Sequence, residues 1–133
     1  MNTGSQENTP RYGLAEIAST FAQVKQCKAL DIAIVSVERE TALFRLPYSQ
    51  SIIGDPESGI VHGGGVSALL EHTAIIKILI EGEFTRFSKM VNLLIEYLRP
   101  FFATQDTYAA GTLFKQGRSV ISVRVEASQG DSC

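Results

Sequence analysis

The chain has 133 residues, 44% hydrophobic and 20% charged, with twelve Lys and Arg against fourteen Asp and Glu. That length is one domain's worth, the balance excludes a disordered or fibrous protein, and a net charge of −2 offers no footprint for nucleic acid. The longest strongly apolar run, Ala74 to Ile80, is interrupted by Lys77 and falls short of a membrane span. The first residues carry no basic region and no apolar region, so no signal peptide is expected. Two cysteines, Cys27 and Cys133, cannot form a disulfide framework and fit a reduced, cytoplasmic protein without nucleic-acid or membrane partners.

Residues 1–10 are polar and end at Pro10, which predicts a disordered tail ahead of a single domain over 11–133. From Gly13 to about Cys27, Leu14, Ile17, Ala18, Phe21, Ala22 and Val24 recur at helical spacing. Ala29 to Val37 is apolar and β-branched, Glu38-Arg39-Glu40 reads as a turn, and Thr41 to Leu46 reads as the partner strand of a hairpin that Pro47 ends. Tyr48 to Val61 holds Gly54, Asp55, Pro56, Ser58 and Gly59 and reads as a long loop, which in a compact domain points to function. His62-Gly63-Gly64-Gly65 then opens a segment apolar on nearly every face, ending near Gly82, which predicts a helix buried in the core. Three strands are expected after it: Lys89 to Tyr97, Thr107 to Gln116 and Ser119 to Ser128. Strands with so few intervening helices predict an α+β fold, an antiparallel sheet of about five strands wrapped around one long helix, with a short N-terminal helix.

The glycine run can be read in several ways. As the oxyanion loop of an α/β-hydrolase it lacks the nucleophile elbow, because Gly65-Val66-Ser67-Ala68-Leu69 has no closing glycine. As a dinucleotide fingerprint it lacks the preceding strand, and no Gly-Lys-Ser/Thr follows to make a phosphate loop. Two readings stay open: glycines that only allow a tight turn and close packing, or a bare helix N-terminus whose unpaired N–H groups stabilise an oxyanion.

Glu71 lies within the apolar helix. A carboxylate there is held by a structural hydrogen bond, lies at a wet helix face, or serves as nucleophile or general base. His72 points about 100° away from Glu71 and reads as a core or interface histidine. Gly63 and Glu71 are separated by roughly 12 Å along the helix axis. One helix does not easily bring both to one carbonyl, whereas two copies related by a twofold axis can, so a catalytic pair implies an obligate dimer.

Gly59-Ile60-Val61-His62-Gly63-Gly64, Leu70-Glu71-His72-Thr73-Ala74, Ile95-Glu96-Tyr97-Leu98-Arg99-Pro100 and Gln116-Gly117-Arg118 resemble the hotdog-fold acyl-CoA thioesterases. The likeness is to the phenylacetate-degradation (PaaI) type and the related 4-hydroxybenzoyl-CoA thioesterases, over about residues 12–128. It implies hydrolysis of an acyl-CoA to free acid and CoA without cofactor or metal, by a homodimer or homotetramer. By the same resemblance Glu71 is the catalytic carboxylate, and Gly63, with Gly64 beside it, polarises the thioester carbonyl. His62 orients the loop, and Asp55 lies near a position that holds water or substrate. Lys115 to Ser119, with Gly117 and Arg118, falls on the turn bordering the CoA pantetheine and phosphates.

Two departures stand out. Where some relatives place Ser or Thr on the strand after the helix, this chain has Met90, with Asn92 the nearest polar substitute. It also stops soon after the fifth strand, where relatives usually have one more, which is expected to leave a sheet edge for another chain to cover. The alternative functions are a non-catalytic acyl-CoA-binding module on the same pocket, or a hotdog hydratase, for which Asp55 with His62 imitates the usual pair loosely. Ile52, Ile53, Ile75 and Phe87 fit an apolar acyl pocket or simply a core.

Overall fold

The computed structural model describes residues 16, 17, 19, 23–37, 42–81 and 89–130. The predicted tail, the Glu38-Arg39-Glu40 turn, Gly82, Phe87 and Cys133 lie outside them. Six strands are described. β1 (Ala33–Ser36), β2 (Leu43–Leu46), β5 (Thr107–Gln116) and β6 (Ile121–Gln129) form one sheet in the order β1-β2-β5-β6. β3 (Ile53–Asp55) and β4 (Ile60–Val61) form a separate two-stranded sheet. Every pairing is antiparallel. Two helices are bounded: α1 (Lys25–Leu30) and the 19-residue α2 (Gly63–Glu81).

The sheet wraps α2 because one face of each strand is apolar. Phe44 and Leu46 on β2 and Thr107, Ala109 and Gly111 on β5 are buried, while Ala110, Thr112 and Phe114 face outward. From α2, Val66, Leu69, Ile76 and Ile80 fill the same core. Burying one such side chain contributes about 1.5–3 kcal/mol, so the helix–sheet contact dominates the stability. Register slips, between Ile34 and Ser36 and between Leu113 and Lys115, mark irregularities that bend the ladder around the helix. α2 is long and apolar enough to cross a membrane by composition, but its packing against β2, β5 and β6 makes it a core helix. Lys77 does not break it: the side chain is 1% exposed and its Nζ lies 3.6 Å from Glu81, one turn on.

Four expectations need correcting. The N-terminal helix does not stop at Cys27. The helical stretch is interrupted at Val24, which is extended (φ −88°, ψ 105°), and a separate helix, Lys25–Leu30, follows and ends where Asp31 takes φ 54°, with the Asp31 and Ile32 N–H groups closing on the Lys28 and Cys27 carbonyls. Asp tolerates the left-handed region better than most residues, so it can end a helix without glycine. The first strand accordingly begins at Ala33, not Ala29. The loop from Tyr48 to Val61 is structured: a 3₁₀ turn, Gln50–Ile52, is capped by the Ser49 hydroxyl, and the β3–β4 hairpin follows. Strands this short carry no periodicity to detect.

The fourth correction is Lys89 to Tyr97, which joins neither sheet among the described residues. Its apolar side chains are largely exposed, Val91 by 81% and Leu94 by 85%. The alternation is present, but a strand also needs a neighbour to receive its N–H and C=O groups. Beyond Pro100 the chain is held again. The Val61 N–H donates to the Phe101 carbonyl (2.7 Å) and the Ala103 N–H to the Gly59 carbonyl (2.7 Å). The Gln129 amide brackets Phe102, donating to its carbonyl and accepting from its N–H. This seam runs beside β4, the strand that leads into α2, and so carries Tyr97 past the start of the helix.

Candidate active site

The start of α2 is held from several sides. The His62 N–H donates to the Ile52 carbonyl (2.6 Å), fixing the residue before the helix to the 3₁₀ turn. The His62 carbonyl accepts from Gly65 N–H (2.9 Å), and its Nδ1 accepts from Gly64 N–H at 2.8 Å. His62 is thus the N-cap, doing with a ring nitrogen what Ser or Asp does with an oxygen. Accepting through Nδ1 places the neutral ring's proton on Nε2. The Gly63 carbonyl accepts from the Tyr97 hydroxyl at 3.0 Å. The Gly63 N–H donates to no acceptor among the described residues. It therefore stands at the positive end of a 19-residue helix as an unspent donor.

Gly63 and Gly64 have different reasons to be glycine. A Cβ on Gly63 would lie 3.2 Å from the Tyr97 hydroxyl oxygen, and one on Gly64 would lie 2.9 Å from His62 Nδ1. One on Gly65 would meet only ordinary contacts with Ile52, at 3.6 Å. The Gly64 N–H, expected beside that of Gly63 at a carbonyl, donates to His62 Nδ1 in this structure.

Glu71 lies two turns further along α2 and is half-buried rather than enclosed. No hydrogen bond or ion pair to its carboxylate is found among the described residues. Its charge is felt by two neighbours. The Cys27 thiol is pushed up to about 11, by burial first and by Glu71 second. The His72 imidazole is held below its usual value by burial, with Glu71 opposing. His72 is the core histidine expected, and its Nε2 meets Gln26 Oε1 of α1 at 2.8 Å.

Asp55 is fully exposed, and its carboxylate is taken up by its own turn: Oδ1 accepts from Glu57 N–H (3.1 Å) and Oδ2 from the Ser58 hydroxyl. These bonds hold its carboxyl below the usual carboxylate range. The turn closes with Gly59 at φ 69° and its N–H on the Asp55 carbonyl. Asp55 shapes the hairpin through these bonds. Asn92 is exposed in the unpaired segment. Lys115, Gly117, Arg118 and Ser119 cluster at the β5–β6 connection, all exposed, with Gly117 N–H donating to the Val120 carbonyl (2.8 Å).

The structure thus brings together His62, Gly63, Gly64 and Tyr97. Glu71 stands further along the same helix, and Lys115 to Ser119 lie on a separate hairpin. Tyr97 was not singled out from the sequence as a site residue, although it sits in the Tyr-Leu-Arg-Pro motif. Gln26 has no local signal, since its partner is 46 residues away.

A family model described as the thioesterase superfamily matches residues 58–132. A crystal structure of a Pseudomonas aeruginosa protein is 32% identical, with a TM-score of 0.77 over 90% of this chain and 89% of that one. A phenylacetic acid degradation-related protein from Ralstonia eutropha is similar in fold at 20% identity, with a TM-score of 0.73 over 87% and 90% of the two chains. A thioesterase from Haemophilus influenzae shares the fold at 18% identity, with a TM-score of 0.76 over 92% and 82%. No match was found among curated proteins. An antiparallel sheet wrapped on one central helix, a glycine-rich start to that helix and the match over residues 58–132 lead to one conclusion: the chain belongs to the thioesterase superfamily and has its hotdog fold.

Proposed function

We propose that the protein hydrolyses an acyl-CoA thioester to the free acid and CoA. The observation that carries this reading is the unspent Gly63 N–H at the N-terminus of α2. A thioester carbonyl placed there receives a hydrogen bond that strengthens as its oxygen gains charge, which favours the tetrahedral transition state over the ground state. Glu71 supplies the nucleophile, either its own oxygen or a water it deprotonates. The C–S bond breaks, sulfur leaves as the CoA thiolate and takes up a proton, and water's oxygen ends in the carboxylate product. In the reading with direct attack, the Glu71 carboxylate displaces the thiolate to form an acyl–Glu71 anhydride, and the one water consumed then opens it.

The roughly 12 Å between Gly63 and Glu71 along one helix keeps a single chain from serving one carbonyl with both. A second copy supplies the complementary half, giving two sites per dimer. The exposed apolar side chains of residues 89–98 support self-association. Exposed Arg118 and Lys115 suit the CoA phosphates.

A panel of acyl-CoAs with a free-thiol readout tests the reading. The wild-type protein is expected to release CoA from at least one member, and Glu71→Gln to lose about 10²-fold or more in kcat. Near-normal turnover by Glu71→Gln would remove Glu71 from the chemistry. Binding of acyl-CoA without turnover would leave the non-catalytic module.

A further inference from the structure

We infer that Tyr97 is a positioning residue. Its hydroxyl and the His62 imidazole grip opposite ends of the Gly63–Gly64 peptide, the unit that follows the Gly63 Cα, and so restrain the backbone from which the Gly63 N–H projects. The inference rests on the thioesterase reading for its effect on turnover, but not for the grip itself.

Gly63, Gly64 and Gly65 form the whole first turn of α2. Glycine loses more conformational freedom than any other residue on entering a helix, about 0.5–1 kcal/mol relative to Ala at each position. A turn of three glycines is therefore the part of the helix most prone to fray. An oxyanion donor is useful only if it is already aimed before the charge develops. The sequence thus places the greatest freedom where the least can be tolerated.

The peptide between Gly63 and Gly64 resolves this conflict. It is planar, so fixing its two polar ends fixes the orientation of the unit. The Gly63 N–H belongs to the preceding His62–Gly63 peptide, whose carbonyl accepts from the Gly65 N–H, so with the peptide on each side held the rotation at Gly63 is restrained. Its carbonyl accepts from Tyr97 at 3.0 Å, and its N–H donates to His62 Nδ1 at 2.8 Å. The same two side chains occupy the space that a Cβ would need on Gly63 and Gly64. Each glycine is required by one half of the grip, and the grip restrains the freedom the glycines bring. Tyr97 is 59% exposed and is not held by a core.

Tyr97→Phe keeps the ring and removes the hydroxyl. The expected result is a fall in kcat of about tenfold, the scale of one hydrogen bond, with KM within about twofold and the urea midpoint nearly unchanged. His62→Asn retains a side-chain acceptor at the cap and is expected to keep more activity than His62→Ala. Amide exchange at Gly64, followed by NMR in the protein without substrate, is expected to accelerate several-fold in Tyr97→Phe. A Tyr97→Phe protein with wild-type kcat overturns the inference while Glu71→Gln still tests the reaction. An effect confined to KM also overturns it, because it places Tyr97 on the substrate. If the wild type hydrolyses no thioester, the functional reading fails alone. The grip is then decided by exchange: acceleration upholds it, and an unchanged rate overturns it.

Discussion

Gly64 and Gly65 are adjacent glycines with opposite tolerances. A methyl group on Gly64 meets the His62 ring at 2.9 Å, so Gly64→Ala must displace the cap or the helix start. Loss of the cap costs about 1 kcal/mol. Gly65→Ala adds a methyl at ordinary contact distance and removes unfolded-state freedom, so it is expected to stabilise by about 0.4–1 kcal/mol. Urea denaturation of the two variants checks both signs. Cys27 offers a test by pH. Its thiol, pushed up to about 11, favours the neutral form in the folded protein. The stability this contributes is present below the ordinary thiol value and is lost as pH rises through the folded one, so the unfolding midpoint falls between about pH 9 and about pH 11. Cys27→Ala should flatten that part of the profile. In a Cys133→Ser background, the remaining thiol is expected to react slowly with disulfide reagents near neutral pH until the protein unfolds.

Among the elements, α2 joins core and chemistry. Its middle and end bury Leu69, Ile76 and Ile80 against the sheet, which anchors the helix and leaves its first turn to the His62 cap and Tyr97. The β3–β4 hairpin positions the residue before that turn, and its own shape depends on Asp55. Because the folded-state value of Asp55 is lowered, the stability it contributes is present at neutral pH and is lost as pH falls through that value. Asp55→Ala is expected to loosen the hairpin, read as faster amide exchange at Gly59. The β5–β6 hairpin carries the cations. Charge reversal at Arg118 is expected to raise KM for acyl-CoA, with less effect on a short pantetheine thioester that lacks the nucleotide phosphates. Equal effects on both substrates would point to a folding defect instead.

At the scale of the whole molecule, the separation of Gly63 from Glu71 becomes a statement about assembly. Sedimentation at low concentration is expected to show a dimer or larger species. Glu71→Ala and Gly64→Ala chains, each impaired alone, can be unfolded together and refolded as mixtures. A site shared between chains predicts that mixed dimers recover one intact site of two. Confirmed mixed dimers without any recovery would place both groups in one chain's site.

The central helix, the β1–β2 hairpin and the two long strands β5 and β6 were legible in the sequence, the helix as a long run apolar on nearly every face and the strands as β-branched or alternating runs between turn signals. Glu71 and the glycine run were legible too, since a carboxylate in an apolar helix and three successive glycines are local anomalies. The structure of residues 48–61 was not legible, because it rests on caps and turn hydrogen bonds rather than on alternation. Residues 89–97 carried the alternation of a strand and do not join the sheet, because pairing belongs to the neighbour as much as to the segment. What only the tertiary structure decided is how the glycines are used. Tyr97 lies 34 positions from Gly63, and the seam of residues 101–103 along β4 brings the two together. A backbone N–H carries no sequence signature of being free. It becomes so when its neighbour's is taken by His62 and none of the described residues places an acceptor opposite its own.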